Sequence, residues 1–220
     1  MLSTRRNSNQ TLRSDVAQAA ARLVADGEAA NFATAKRKAV DALGLENFRN
    51  MPENQEVHDA LMLYQRLFEG AQWIHRIDAM RREARTAMIA TAQFRPRLVG
   101  PVLYGSACEH SPVTIHLYTD ELESVTRFFH EAKINYRLTH TILKTGPSRR
   151  EEFPCYVIIN DGLEFNMVVF GEAFFAHPPL SSLNGRPYKR ADVDALDKLI
   201  EENSAAGTVS SNLHPGIGGS

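Results

Sequence analysis

Residues 98–118 read LVGPVLYGSACEHSPVTIHLY. The apolar run Leu98–Tyr104 predicts a strand that enters a turn at Gly105–Ser106. Seven residues later, Val113–Tyr118 alternates strictly, which predicts a second strand. Val113, Ile115 and Leu117 face one way there, and Thr114, His116 and Tyr118 the other. Strand, Gly-Ser turn, short loop and alternating strand set the expectation for what surrounds them.

Downstream, Thr119 or Asp120 caps a predicted helix from Glu121 to Ala132, with Leu122, Val125, Phe128 and Phe129 as its apolar stripe. Strands follow over Asn135–Leu143 and Phe153–Ile159, separated by a polar loop, Thr145–Glu152. His140 alternates with Tyr136 and Leu138 and reads as a packed histidine. Asn160-Asp161-Gly162 is a hairpin turn, and Leu163–Phe170 returns as a strand with Glu164 and Asn166 on one face. After a long Pro/Gly/Ser loop, Asp192–Asn203 has the pattern of a last helix.

Upstream the period is helical. Helices are predicted over Val16–Ala25, Phe32–Leu43, Glu53–Phe68 and Ala71–Gln93, with breaks at Gly27, Gly44, Pro52 and Gly70. Trp73 reads as core. The expected organisation is a disordered start at 1–14, a helical domain at 15–97, a small mixed-sheet α+β domain at 98–203 and a disordered tail at 204–220.

Composition narrows the classes. The 220 residues are 43% hydrophobic and 23% charged, which excludes collagen, coiled coil and wholesale disorder. No apolar run reaches 18 residues, so no membrane partner is expected. The start lacks a secretory signal's apolar stretch. It is rich in Arg and Ser and poor in acids, which also suits a transit peptide, although a frayed terminus is the simpler reading. The only cysteines, Cys108 and Cys155, form no disulfide framework and point to a cytoplasmic location. Residues 1–97 hold 15 Lys and Arg against 11 acids, and residues 98–220 hold 10 against 15. The excess gathers in 75–97, where Arg81, Arg82 and Arg85 make a candidate basic patch for phosphate or RNA.

The stretch Leu103-Tyr104-Gly105-Ser106 followed by Thr114-Ile115-His116-Leu117 resembles the nucleotidyltransferase superfamily with the DNA polymerase β-like fold. There, an apolar-Gly-Ser or apolar-Gly-Gly turn precedes an acid-apolar-acid strand, and a third acid lies on a later strand. The resemblance spans about Leu98 to Phe170. It implies that Gly105 and Ser106 cradle phosphate at a helix N-terminus, and that acids on neighbouring strands clamp Mg²⁺. Here the acid positions carry Thr114, His116 and Asn166, with Glu164 one repeat away. The implied function is nucleotide or RNA binding at a degenerate metal site, as in a pseudoenzyme. A protein-interaction module that keeps only the fold is an alternative. So is an active transferase using Mg²⁺ with Glu164 and Asp161 as ligands. The chain is also similar to small bacterial proteins often labelled UDP-N-acetylmuramate–alanine ligase. That activity implies a Gly-rich ATP loop ending in Gly-Lys-Thr or Gly-Lys-Ser, which this sequence lacks.

Two smaller constellations stand beside it. Cys108, His110 and His116 contain Cys-x-His spacing, but no fourth zinc ligand is evident. Cys108 with a nearby His could act as nucleophile and base. Arg149–Arg150 and Arg186, Lys189 and Arg190 read as solvated surface runs.

Overall fold

The computed structural model describes the backbone of residues 2–45 and 47–211 and the side chains of 9–45 and 47–203. It is an α+β molecule built round one five-stranded mixed sheet. Helix α1 spans Leu2–Ala25, α2 Phe32–Ala42 and α3 Asn54–Tyr64. The start expected to be disordered is therefore helical from Leu2. No Gly or Pro interrupts residues 2–25, and Arg13 Nε on α1 donates to Glu56 Oε1 on α3 at 2.8 Å. Asn31 caps α2 by accepting from the Thr34 amide at 2.9 Å. Glu56 reaches back to the Glu53 amide at 2.6 Å at the start of α3.

These three helices bury a small core of their own, including Val16, Ala20, Ala35, Ala39 and Val57. After α3 comes a π-helical turn, Gln65–Glu69, and then α4, Ala71–Ala90. Helix α4 does not share the α1–α3 core. Its Ile77, Met80, Ala84 and Met88 pack on the sheet, so the stretch 15–97 divides between two cores.

The first strand departs most from expectation. Strand β1 is only Arg97–Val99, and Gly100–Tyr104 forms a short helix, α5. Gly100 has φ +75°, a value L residues adopt only with strain. Pro101 then starts the helix with its fixed φ. Strand β2 (Val113–Tyr118) and helix α6 (Leu122–Glu131) lie where predicted. Strand β3 is Arg137–Lys144. Strand β4 is Arg150–Asn160, which takes in the end of the expected polar loop because Leu143 and Lys144 pair with Glu151 and Arg150. Strand β5 is Leu163–Phe170, and α7 is a single turn, Ala173–Ala176. Asp161 (φ +48°) and Gly162 (φ +80°) form the tight β4–β5 turn. Helix α8 spans Val193–Ser211, so the chain past Asn203 is helical to Ser211. The remainder of the expected tail, 212–220, lies outside the described residues.

The strand order is β1-β2-β5-β4-β3. Only β2–β5 is parallel; β1–β2, β5–β4 and β4–β3 are antiparallel. One sheet face is covered by helices. Val113, Ile115, Leu117, Tyr156, Phe165 and Met167 meet residues of α4, α6 and α8 there. The other face is only part covered. Phe174 and Phe175 pack over Tyr118, Phe153 and Phe170 at one end, and the rest lies open. No helix among the described residues is long and apolar enough to cross a membrane.

Candidate functional site

The open face holds a pocket of about 410 Å³. Thr114 and His116 reach it from β2, Glu164 and Asn166 from β5, Cys155 and Val157 from β4, and Thr139, His140 and Thr141 from β3; Tyr188 closes one side. The parallel register sets Thr114 beside Asn166 and His116 beside Val168. Alternation then keeps Glu164 on the same face, two residues from Asn166. The four polar residues singled out on these two strands thus come together.

His116 is only 1% exposed. Its ring packs against Phe170 at 4.6 Å and Tyr188 at 5.2 Å between centroids. Burial, with Arg190 nearby, pushes its pKa down to about 3, so the ring is neutral near neutral pH. Its Nδ1 is buried and without a hydrogen-bond partner among the described residues. An orphaned polar atom of this kind costs free energy unless something satisfies it. His140, expected to be packed, is exposed.

No Lys or Arg lines the pocket, and Glu164 is its only carboxylate. Three of the four central residues offer neutral ligands where Mg²⁺ prefers anionic oxygen. Among the described residues, no group of three His, Cys, Asp or Glu side chains could hold a metal ion. Asp161 lies exposed in the hairpin turn rather than in the pocket.

Gly105 and Ser106 are elsewhere. They close α5 instead of opening a helix. Gly105 takes φ +82° as the C-cap, and its carbonyl accepts from Trp73 Nε1 at 2.8 Å. The Ser106 amide donates to the Pro101 carbonyl at 2.9 Å, and Ser106 is buried. Both backbone amides are thus turned back into α5 rather than towards a ligand. The strand-Gly-helix turn lies five residues earlier, at Gly100. The pairing Gly100-Pro101 was the signal for it.

The loop after Ser106 is held by the helical half. Gln65, fully buried in the π-helical turn, donates to the Ala107 carbonyl at 3.2 Å and lies 3.6 Å from Cys108 Sγ. Burial pushes the thiols of Cys108 and Cys155 up to about 11. Both stay protonated near neutral pH, which removes the thiolate a nucleophile needs.

The basic patch does not form. Arg81 is buried. Its guanidinium donates to the carbonyls of Val102 at 3.2 Å and Leu103 at 3.1 Å, at the C-terminal end of α5. Arg82 pairs with Asp78 one turn away, and Arg85 pairs with Asp197 on α8. A helical wheel shows the spacing of these arginines but not that α8 packs across them. The cationic residues on the side of His116 are instead Arg95 and Arg97, which belong to the basic excess of 75–97, and Arg190, which read as part of a surface run.

Searches against protein-family models, curated proteins and solved structures found no match to this chain.

Proposed function

We propose that this chain is a nucleotide-binding protein on a nucleotidyltransferase-like sheet, with metal-dependent transfer weak or lost. One observation carries the reading. The β2–β5 register sets Thr114, His116, Asn166 and Glu164 at one pocket, in the arrangement that the resemblance assigns to a metal-binding nucleotide site. Neutral residues replace three of the carboxylates that chemistry needs. A β2 strand antiparallel to β1 and parallel to the strand carrying the third position supports the same reading. The pocket is sized for a nucleoside, not for a folded RNA. A cytoplasmic location accords with two free, buried cysteines.

Calorimetric titration with ATP, GTP, CTP and UTP, each with and without Mg²⁺ or Mn²⁺, tests it. The expected result is binding of at least one nucleotide with an affinity that metal does not change. Binding only in the presence of metal would indicate the active transferase. Binding of none would end the nucleotide reading.

A second reading, a protein-interaction module, is favoured by one feature. Leu63, Leu67 and Phe68 are 57%, 65% and 71% exposed. They edge a groove between α1 and α3, and a contiguous apolar patch of this kind marks interaction surfaces.

A further inference from the structure

Three arginines converge on one aromatic ring at the edge of the pocket. Arg97 on β1 is the cross-strand partner of His116, so both side chains leave on the open face. A bridge between Leu98 and Ala191 brings Arg190 alongside β1. The guanidinium carbons of Arg95, Arg97 and Arg190 lie 3.5, 4.9 and 5.5 Å from the centroid of Phe175. Arg190 also donates to Tyr118 Oη at 2.9 Å and to the Phe175 carbonyl at 3.0 Å. Both of those acceptors are neutral.

The charges here do not cancel. Arg95 pairs with Glu172. Arg97 approaches Asp192 only at 3.9 Å, and Arg190 has no carboxylate partner among the described residues. The ring face offsets part of the repulsion, but three guanidiniums meet two carboxylates. Such a concentration of forked donors suits a phosphate group. The pocket beside it has the opposite character, with no cation in its lining and a buried, unpartnered His116 Nδ1. Tyr118 follows His116 by two residues on β2, a separation of about 7 Å along a strand. That is comparable to the reach from a nucleoside to its phosphates.

We propose that Arg95, Arg97 and Arg190, gathered round Phe175, form an anion site for the phosphates of a nucleotide whose nucleoside end occupies the pocket. The inference rests on the nucleotide reading above but can be tested apart from it. It assigns phosphate recognition to protein cations, where a metal-dependent site would use ions.

The test is calorimetry on the full chain with nucleoside triphosphates, the corresponding nucleosides and inorganic pyrophosphate. The proteins are the native chain, Arg97→Gln, Arg190→Gln and Arg95→Gln. Thermal unfolding confirms that each is folded. Arg95 is included because its side chain is more exposed than that of Arg97, so its replacement is the less disruptive to the fold. The expected result is that each substitution weakens triphosphate and pyrophosphate binding about tenfold or more, while nucleoside binding is unchanged. Folded variants that bind both phosphate ligands like the native chain would overturn the anion site and leave the nucleotide reading standing. Pyrophosphate binding that the substitutions abolish, with no triphosphate preference in the native chain, would keep the anion site and end the nucleotide reading. If neither ligand binds the native chain, both are wrong.

Discussion

Thr114 and Asn166 are neighbours across the parallel seam between β2 and β5, and both line the open-face pocket half-buried beside Glu164. Two uncharged side chains thus occupy places where paired carboxylates would create a cation site. Changing both, Thr114→Asp with Asn166→Asp, sets three carboxylates on one patch. The double variant should bind Mn²⁺ detectably by calorimetry or electron paramagnetic resonance, and the native chain should not. Equal Mn²⁺ binding by the two proteins would show that the pocket geometry does not converge on a cation.

Arg81 should matter for stability and not for ligand binding. It is buried, and burial lowers its pKa, yet its donors satisfy two carbonyls at the end of α5. Arg81→Met should cost about 2–4 kcal/mol in urea unfolding, because buried acceptors are left unpaired. Arg82→Ala, at a surface pair, should change stability by about 0.5 kcal/mol or less. Neither should alter nucleotide affinity. A loss of affinity in folded Arg82→Ala would revive the helical arginine face as a binding surface.

His116 should give the fold a pH dependence. Its folded pKa, about 3, lies below the ordinary value of 6.5. Between those values the unfolded chain takes up a proton that the folded chain refuses. The contribution is therefore fully present above about pH 6.5 and falls as pH drops towards 3, by up to about 1.4 kcal/mol per unit. Glu56, held down by Arg13, adds a loss only below its ordinary value of 4.5. Unfolding measured between pH 6.5 and 4.5 should flatten in His116→Phe. An unchanged slope there would assign the effect to other groups.

Gly105 tests the turn assignment. At φ +82°, a Cβ would sit 3.7 Å from Arg81 Nη2, so space is adequate and the backbone is what resists. Gly105→Ala should cost about 1–2 kcal/mol through the left-handed backbone alone. Its nucleotide affinity should match that of the native chain. Weakened affinity in the folded variant would return Gly105 to a phosphate-binding role.

Much of the sheet was legible because its periodicity is clean. Val113–Tyr118 alternates without exception, and Asp161-Gly162 can hardly be anything but a tight turn. Alternation put Thr114 with His116 on one strand and Glu164 with Asn166 on another. That the two pairs share a face was only what the resemblance implied, and it takes the parallel β2–β5 pairing to bring them to one pocket. Leu98–Tyr104 failed because a short apolar run looks the same in a buried strand and a buried helix. There Gly100-Pro101 outweighed the run. The cluster of Arg95, Arg97 and Arg190 was not legible at all. It depends on β1 pairing with β2 and on a bridge to a residue about ninety positions away, and no local pattern encodes that.

The parallel seam also bears on how the chain folds. Strands β3, β4 and β5 form by adjacent antiparallel pairings, and β1 joins β2 across a short connection. Thr114 and Asn166, by contrast, lie about fifty residues apart, and bringing them together carries the loop-closure entropy of the whole crossover. The pocket straddles that join. Binding competence should therefore appear only after the antiparallel pairs have formed, and a ligand held across the seam would slow unfolding by bracing a long-range contact.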